Sequence, residues 1–227
     1  MTSRTGMPCI LGLTGSIGMG KSSTAAMFAR LGAAVFDADA AVHALLAPGG
    51  AAVAAVAAAF PDVADPQGGI DRRRLGARVF ADPAALRRLE DILHPAVAAA
   101  RQRFLRRCAR RRLRLAVLDI PLLFEAGLDR DCDATAVVVA PPAVQKGRVL
   151  ARPGMTPEKF RRIRARQMPD RLKMARADMV ILTGLDKRFA LRQVRRAAAL
   201  LMAGSASGRA VKAGDKRAWK RKGNPRA

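Results

Sequence analysis

Aromatic residues and cysteines are scarce in this sequence. It has no Tyr and a single Trp, Trp219, so the aromatic platforms on which proteins stack single-stranded nucleic acids are nearly missing. The three cysteines, Cys9, Cys108 and Cys132, are odd in number and far apart, and none has metal-ligand spacing. We therefore expect buried, reduced thiols rather than disulfides or a zinc site.

Long apolar runs are also missing. No stretch approaches the length of a bilayer span, and residues 1–8 lack the charged and then apolar layout of a secretory signal. Of the 227 residues, 50% are hydrophobic, which is enough to build the core of one large or two modest domains. We therefore expect a globular, cytoplasmic protein with no membrane partner.

Acidic residues are outnumbered, since 42 Lys and Arg stand against 18 Asp and Glu and give a net charge of +24. Such an excess attracts polyanions whatever the fold. Residues 205–227 carry eight Lys or Arg and one Asp, and we expect this basic tail to be disordered and to bind polyanions only weakly. The remaining charge is spread along the chain, so we expect no specific nucleic-acid partner.

A phosphate-binding pattern lies near the start of the chain. Residues 15–22, GSIGMGKS, fit G-x-x-x-x-G-K-[ST] between an apolar run at residues 8–13 and a helical pattern at residues 21–31. The glycines allow positive φ and turn N–H groups toward a phosphate, to which the helix start adds its positive dipole end. A chance match is the alternative, but this context favours a nucleoside triphosphate site. The residues that we assign to it are Gly15, Ser16, Gly18, Met19, Gly20, Lys21, Ser22 and Ser23.

Carboxylates follow two of the predicted strands. Asp37 and Asp39 come after the second strand, two apart on an extended backbone, so we expect both to face the crevice above the phosphate loop. Phosphoryl transfer to a hydroxyl requires a carboxylate beside the acceptor oxygen, and Asp39 is our candidate, with a helix cap as the alternative role. Asp119 follows the third strand, where it is placed to hold Mg²⁺ through water while Ser22 offers its hydroxyl.

Strand and helix patterns alternate along most of the chain. Residues 42–114 contain no convincing strand and are interpreted as a helical insertion. Within it, a helix that begins at residue 83 is expected to end at His94, since proline disfavours helix at the preceding residue, and a second helix follows. The alternation predicts an α/β fold with a three-layer, doubly wound, parallel five-stranded sheet. The strands after the first are expected at residues 33–36, 115–118, 134–139 and 179–182.

Arginines form three groups of interest. Arg72 follows a capping Asp71 at a helix start, where anion binding and a solvated face are equally expected. Arg148 and Arg152 are four apart in a helical pattern and would share one face, as two arginines that clamp phosphate would, although surface arginines have the same spacing. For residues 101–114 we favour a solvated helix face.

Together these motifs resemble the dephospho-coenzyme A kinase family, in the nucleoside-monophosphate-kinase-like branch of phosphate-loop proteins. The resemblance runs over residues 9–202. The phosphate loop is common to many families, whereas the other motifs in their order are far more specific. They are Asp37-Ala38-Asp39, Leu89-Glu90 before His94-Pro95, Pro121-Leu122-Leu123-Phe124-Glu125, Arg148 with Arg152, Gln167 with Lys173, and Ala177-Asp178 before Val180-Ile181.

The resemblance implies transfer of the γ-phosphoryl group of ATP to the ribose 3′-hydroxyl of dephospho-CoA, with Mg²⁺ as cofactor. The catalytic residues that it implies are Asp39, Lys21 and Arg148. ATP would be bound by the phosphate loop together with Arg148 and Arg152. The residues implied for dephospho-CoA binding are Asp39, Arg72, His94 and Leu122. We expect a monomer or a weak homo-oligomer.

The resemblance also divides the chain into functional parts. The nucleotide-binding core would comprise residues 1–41, 115–141 and 176–204, and residues 42–114 would bind the CoA substrate. Residues 142–175 would form a helical lid that closes over ATP and excludes water. The basic tail lies outside the match.

One position departs from the family pattern. Thr183-Gly184 stands where the family usually has an asparagine, so recognition of the adenine end would rely on backbone contacts. Two alternatives to the family function remain. A nucleoside or shikimate-type kinase shares the phosphate loop but lacks the other motifs, and a non-catalytic nucleic-acid binder would explain the charge but neither Asp39 nor the loop.

Overall fold

The computed structural model describes residues 7–206, and the tail from residue 207 onward, predicted to be disordered, lies outside the described residues. The strands are β1 Cys9–Thr14, β2 Ala34–Asp37, β3 Leu115–Asp119, β4 Ala134–Val139 and β5 Met179–Leu182. The helices are α1 Lys21–Arg30, α2 Ala38–Leu46, α3 Val53–Ala59, α4 Arg72–Ala81, α5 Pro83–Arg110, α6 Pro142–Leu150, α7 Pro157–Ala165, α8 Asp170–Arg176 and α9 Lys187–Ala206.

The strands form one sheet in the order β2-β3-β1-β4-β5. β1 pairs in parallel with β3 and with β4, and β4 pairs in parallel with β5. Every residue of β1, β3 and β4 is buried, as expected for parallel strands that are covered on both faces. The predicted α/β fold with a doubly wound parallel sheet is confirmed.

Alternate residues of β4 contribute to two different hydrophobic clusters. Ala136 and Val138 pack in the cluster that contains Phe28 of α1 and Val194 of α9. Their neighbours, Val137 and Val139, pack with Phe124 and Ala177. Successive side chains of a strand point to opposite faces, so the two clusters are the two covered faces of the sheet.

Residues 37–106 form a compact unit of their own, distinct from the rest of the chain. Its core is formed by the apolar faces of short helices, and Val56, Val63 and Leu75 are among its most buried side chains. Asp71 caps α4 by accepting hydrogen bonds from the N–H groups of Arg73 and Arg74, as the sequence predicts. The hydrogen bond from Arg74 holds the pKa of Asp71 below its ordinary value, although burial opposes the shift.

α5 continues through Pro95, so the prediction of a helix that ends at His94 is wrong. A proline inside a helix lacks an N–H donor and costs about 3 kcal/mol. Leu89 on one side of Pro95, and Val97 on the other, pack in the core of the compact unit. Burial of these apolar side chains offsets the cost, because one continuous helix places both of them in the same core.

The three cysteines behave as the sequence predicts, as thiols outside disulfides. Cys9 and Cys108 are buried, Cys132 is partly buried, and none of the three is in a disulfide within residues 7–206. Burial raises the pKa of the Cys108 thiol, which keeps it protonated and poorly reactive. No helix within residues 7–206 has both the length and the apolar character that crossing a bilayer requires.

Two carboxylates connect neighbouring strands of the sheet. Asp133 accepts a hydrogen bond from the N–H of Ile10 over 2.7 Å. Asp178, directly before β5, accepts from both the N–H and the hydroxyl of Thr135 in β4, each over 2.8 Å. A carboxylate is a strong acceptor, so these bonds fix where β4 begins relative to its neighbours.

We expect Asp178→Ala to lower the free energy of unfolding by about 1.5–3 kcal/mol, because two donors of Thr135 lose a charged acceptor. Urea denaturation followed by circular dichroism measures the change. Glu158→Ala is the matched control, since it removes an exposed carboxylate whose side chain is 64% exposed. Equal midpoints for the two variants would contradict this role of Asp178.

Candidate active site

The phosphate loop is the turn between β1 and α1. Gly18 and Gly20 have φ values of 78° and 90°, in the left-handed region where a side chain would be strained. Gly20 is also the N-cap of α1, which therefore has no side-chain cap. The first N–H groups of α1 and the positive end of its dipole are thus available to an anion, as the sequence pattern predicts.

Lys21, the first residue of α1, forms an ion pair with Asp119 at the end of β3. The two side chains are only 14% and 3% exposed, and a charge that is so nearly buried is costly unless an opposite charge lies beside it. The pair places the ammonium group and a carboxylate side by side at the start of α1. The sheet order brings the two residues together, because β3, which ends at Asp119, is the neighbour of β1, which leads into the phosphate loop.

The oxygen atoms at this position suit a magnesium ion. Ser22 is exposed and offers a hydroxyl, and Asp119, which pairs with the preceding residue Lys21, offers a buried carboxylate. Mg²⁺ prefers oxygen ligands and is usually held by one or two protein groups together with substrate phosphates. Within the described residues no group of three or more His, Cys, Asp or Glu is arranged to hold a metal by itself.

Three polar side chains from the segment after β4 bind the outer side of the phosphate loop. Gln145 donates to the backbone O of Ile17 over 2.8 Å, and Gln167 accepts from the N–H of Ile17 over 3.1 Å. Asp170 accepts a hydrogen bond from the hydroxyl of Ser16, a residue that we predicted as an ATP contact. The loop is therefore held from outside by residues more than 120 positions away in the sequence.

Arg148 lies beside the phosphate loop. Its Nη1 donates to the hydroxyl of Thr183 over 3.1 Å, and its Nη2 donates to the backbone O of Thr183 over 2.6 Å. Nη1 is also 3.4 Å from the point that a Cβ on Gly20 would occupy. The guanidinium group is thus next to the last glycine of the loop, directly before Lys21.

Arg152 does not share a helix face with Arg148, so that prediction is wrong. α6 ends at Leu150 and Ala151 is its C-cap. Pro153 follows, and a proline disfavours helical backbone at the residue before it. The spacing of four residues therefore crosses the end of the helix.

The predicted common orientation of Asp37 and Asp39 is also wrong. β2 ends at Asp37 and α2 begins at Ala38, so the two residues do not lie on one extended strand. Asp37 is the helix cap and accepts from the N–H of Ala40 over 3.0 Å. Asp39 lies in the first turn of α2 and is exposed. The helix dipole favours a carboxylate there, and the capping role belongs to Asp37 instead.

The three other residues expected to contact the substrate are all at the surface. Arg72 is the first residue of α4 and His94 lies on α5, both exposed and both in the unit of residues 37–106 that also contains Asp39. Leu122 belongs to the turn after β3 and is 44% exposed, although the next two residues, Leu123 and Phe124, are buried.

Residues 121–125, the Pro-Leu-Leu-Phe-Glu turn, are held by a buried cation. Lys173 of α8 is fully buried and its Nζ lies 2.9 Å from Glu125 Oε1. The same Glu125 oxygen accepts from the N–H of Met168 over 2.8 Å. Burial alone would raise the pKa of Glu125, but the hydrogen bonds from Met168 and Lys173 outweigh it and hold the pKa below its ordinary value.

Sequence motifs pointed to some of these contacts and missed others. Gln167 and Lys173 belong to the motif set, although the motifs do not say what they bind. Gln145, Asp170 and Thr183 were not predicted as site residues. In the sequence, Asp170 resembles an ordinary acidic residue at a helix start. Gln145 is unusual only in the structure, where it is 2% exposed. No local pattern identifies partners so far away in the sequence.

Comparison with known proteins gives one consistent result. The family model described as dephospho-CoA kinase matches residues 9–186. The dephospho-CoA kinase of Rhodospirillum rubrum is 57% identical over 186 residues, which cover 82% of this chain and 88% of that protein. That of Paramagnetospirillum magneticum is 62% identical over 161 residues, covering 71% of this chain and 76% of that protein.

Solved structures agree with the fold. TT1252 from Thermus thermophilus superposes with a TM-score of 0.74 at 34% identity, covering 86% of this chain and 97% of that one. A dephospho-CoA kinase from Campylobacter jejuni has a TM-score of 0.66 at 22% identity, covering 86% of this chain and 98% of that one. The second likeness shows that the fold is shared.

Because of the ion pair of Glu125 and Lys173, we expect the free energy of unfolding to depend on pH. We expect Glu125→Gln to lower the free energy of unfolding at neutral pH by about 3 kcal/mol, because it leaves the buried ammonium of Lys173 without its counter-charge. A lowered folded-state pKa gives stability that is present above the unfolded value, about 4.3, and that is lost as the pH falls through the folded value. The difference between variant and wild type should therefore shrink in acid.

Urea denaturation at several pH values between neutral and acid measures this difference. Glu158→Gln is the control, because Glu158 also has a pKa below its ordinary value, held there mainly by backbone hydrogen bonding, but its ion pair with Arg161 is exposed. That variant should change stability little at neutral pH. A Glu125→Gln effect that persists unchanged in acid would refute the electrostatic explanation.

Proposed function

The chain belongs to the dephospho-CoA kinase family, and we propose that it transfers the γ-phosphoryl group of ATP to the ribose 3′-hydroxyl of dephospho-CoA. The observation that carries this proposal is the phosphate loop. An uncapped helix start, the ammonium of Lys21 and the guanidinium of Arg148 all lie at this one turn. Such a group of donors suits the triphosphate of a nucleotide.

Lys21 and Arg148 would neutralise the charge that spreads over the transferring phosphoryl group. For this, Lys21 exchanges its carboxylate partner, Asp119, for phosphate oxygens. The backbone of the loop glycines Gly18 and Gly20 would supply further N–H donors. Arg152, beyond the end of α6, would reach ATP from the following turn.

Magnesium is the cofactor of the proposed reaction. Ser22, through its hydroxyl, and Asp119, through water, would hold the ion. When bound, Mg²⁺ neutralises charge on the phosphate oxygens.

Asp39 is the proposed base for the acceptor hydroxyl. Its exposed carboxylate lies two residues beyond the carboxyl end of β2, and open α/β sheets bind ligands outside the carboxyl ends of their strands. Arg72, His94 and Leu122 are the proposed contacts of dephospho-CoA. Arg72 suits a phosphate group, and the exposed side chain of Leu122 suits an apolar part of the substrate.

The proposed function also assigns roles to two larger segments, the substrate-binding insertion and the lid. The unit of residues 37–106 covers most of the proposed substrate-binding insertion of residues 42–114 and begins slightly before it. Residues 142–175 are the proposed lid. Gln145, Gln167 and Asp170 connect this segment to the phosphate loop, which supports closure over a nucleotide bound there.

Mass spectrometry of the products tests the reaction. Protein incubated with Mg-ATP and dephospho-CoA should add one phosphoryl group to dephospho-CoA, and it should leave adenosine and shikimate unmodified. Lys21→Ala should abolish most of the product, because the charge at the loop is lost. Phosphorylation of another acceptor in place of dephospho-CoA would overturn the substrate, and normal turnover by Lys21→Ala would overturn the phosphate site.

A second variant tests the base. Asp39→Asn should lower kcat by about two to four orders of magnitude, since a positioned general base is lost. Its affinity for ATP, measured by calorimetry, should stay near that of the wild type. Asp37→Asn is the matched control, because asparagine caps a helix as well as aspartate does, and it should keep its turnover. A slow Asp37→Asn with a normal Asp39→Asn would move the role to Asp37.

A further inference from the structure

Thr183, directly after β5, is bound to three separate parts of the fold. Its hydroxyl donates to the backbone O of Met19 in the phosphate loop over 2.6 Å and accepts from Arg148 Nη1 over 3.1 Å. Its N–H donates to the backbone O of Val139, at the end of β4, over 2.9 Å. Its backbone O accepts from Arg148 Nη2 over 2.6 Å. One residue therefore links the loop, the sheet and the arginine.

The hydroxyl of Thr183 has a single hydrogen to donate. Two backbone oxygens compete for it, that of Met19 at 2.6 Å and that of Val139 at 3.3 Å. The shorter distance assigns the hydrogen to Met19. The lone pairs of the hydroxyl then receive Arg148, so no hydrogen remains with which the side chain could donate to a nucleotide base.

This contact fixes the arginine at the loop. Thr183 Oγ1 and Arg148 Nη1 are 3.2 Å and 3.4 Å from the point that a Cβ on Gly20 would occupy. A Cβ there would crowd the Thr183 hydroxyl, and the φ of 90° at Gly20 would strain any side chain. A long side chain loses rotamer entropy when it is fixed. Because Thr183 already fixes Arg148 before the reaction, less entropy is lost when the arginine acts.

We propose that Thr183 is a positioning residue for phosphoryl transfer, whose hydroxyl fixes Arg148 against the phosphate loop and fixes the Met19 peptide, and that it does not select the base. The proposal rests on the role of Arg148 proposed above. Thr183 acts through Arg148, since none of its contacts requires it to touch a substrate.

Thr183→Val removes the hydroxyl, keeps the side-chain shape and leaves the backbone O bound to Arg148. We expect kcat for dephospho-CoA phosphorylation to fall about five- to tenfold, as for the loss of the hydrogen bond that holds Arg148, while the KM for ATP stays nearly constant. Thr183→Ser restores the hydroxyl and should restore most of the rate. Thr135→Val is the matched control, because it removes a hydroxyl bound to Asp178 at the start of β4, and it should keep its kcat.

Arg148→Ala separates this proposal from the proposed function. If the two residues act together, Thr183→Val should have no further effect in the Arg148→Ala background. A slow Arg148→Ala beside a normal Thr183→Val, or a Thr183→Ser as slow as Thr183→Val, would overturn the positioning role alone. A raised KM for ATP with unchanged kcat would show a base contact instead. Normal turnover by Arg148→Ala would remove the role of the arginine and this proposal with it.

Discussion

The phosphate loop must leave the N–H groups on its inner side unbonded, and the rest of the site depends on how that is achieved. Within the loop, the N–H of Met19 donates to the backbone O of Ser16 over 3.2 Å, and the rest of the loop's shape depends on contacts from outside it. Here the outer groups supply the rigidity: both backbone groups of Ile17 are bound by glutamine side chains, and the O of Met19 is bound by Thr183. The inner face therefore stays available to phosphate without making the loop loose.

The order of the sheet explains why those partners are close enough. β1 is central, with β3 on one side and β4 on the other, so the loop that leaves β1 lies between the residues that leave its neighbours. β3 delivers Asp119 to Lys21 in this way. β5 lies beyond β4 and ends at Leu182, so Thr183 reaches the loop across the end of β4 at Val139. Parallel pairing puts all of these strand ends at one edge.

Sequence reasoning reached the parts of this arrangement that local physics determines. The phosphate loop, the bounds of β4 and β5 and the cap at Asp71 follow from residue types over short stretches, and they are confirmed. Its errors lie at helix boundaries. Packing on both sides overrode the proline in α5, whereas proline did end the helix before Arg152. The sequence could not predict the hydrogen bonds to the outer side of the loop, because no local feature of Gln145 or Thr183 indicates which residues they bind.

The ion pair of Lys21 and Asp119 brings two nearly buried charges together at the phosphate loop. An ammonium and a carboxylate that are nearly buried would each be costly alone, and together they satisfy one another. In the proposed reaction, the phosphate oxygens of ATP would compete with the Asp119 carboxylate for the ammonium group of Lys21. Breaking the ion pair would cost part of the free energy of nucleotide binding, and a magnesium ion beside Asp119 would offset that cost. On this proposal, the two residues would couple the binding of ATP to the binding of its metal ion.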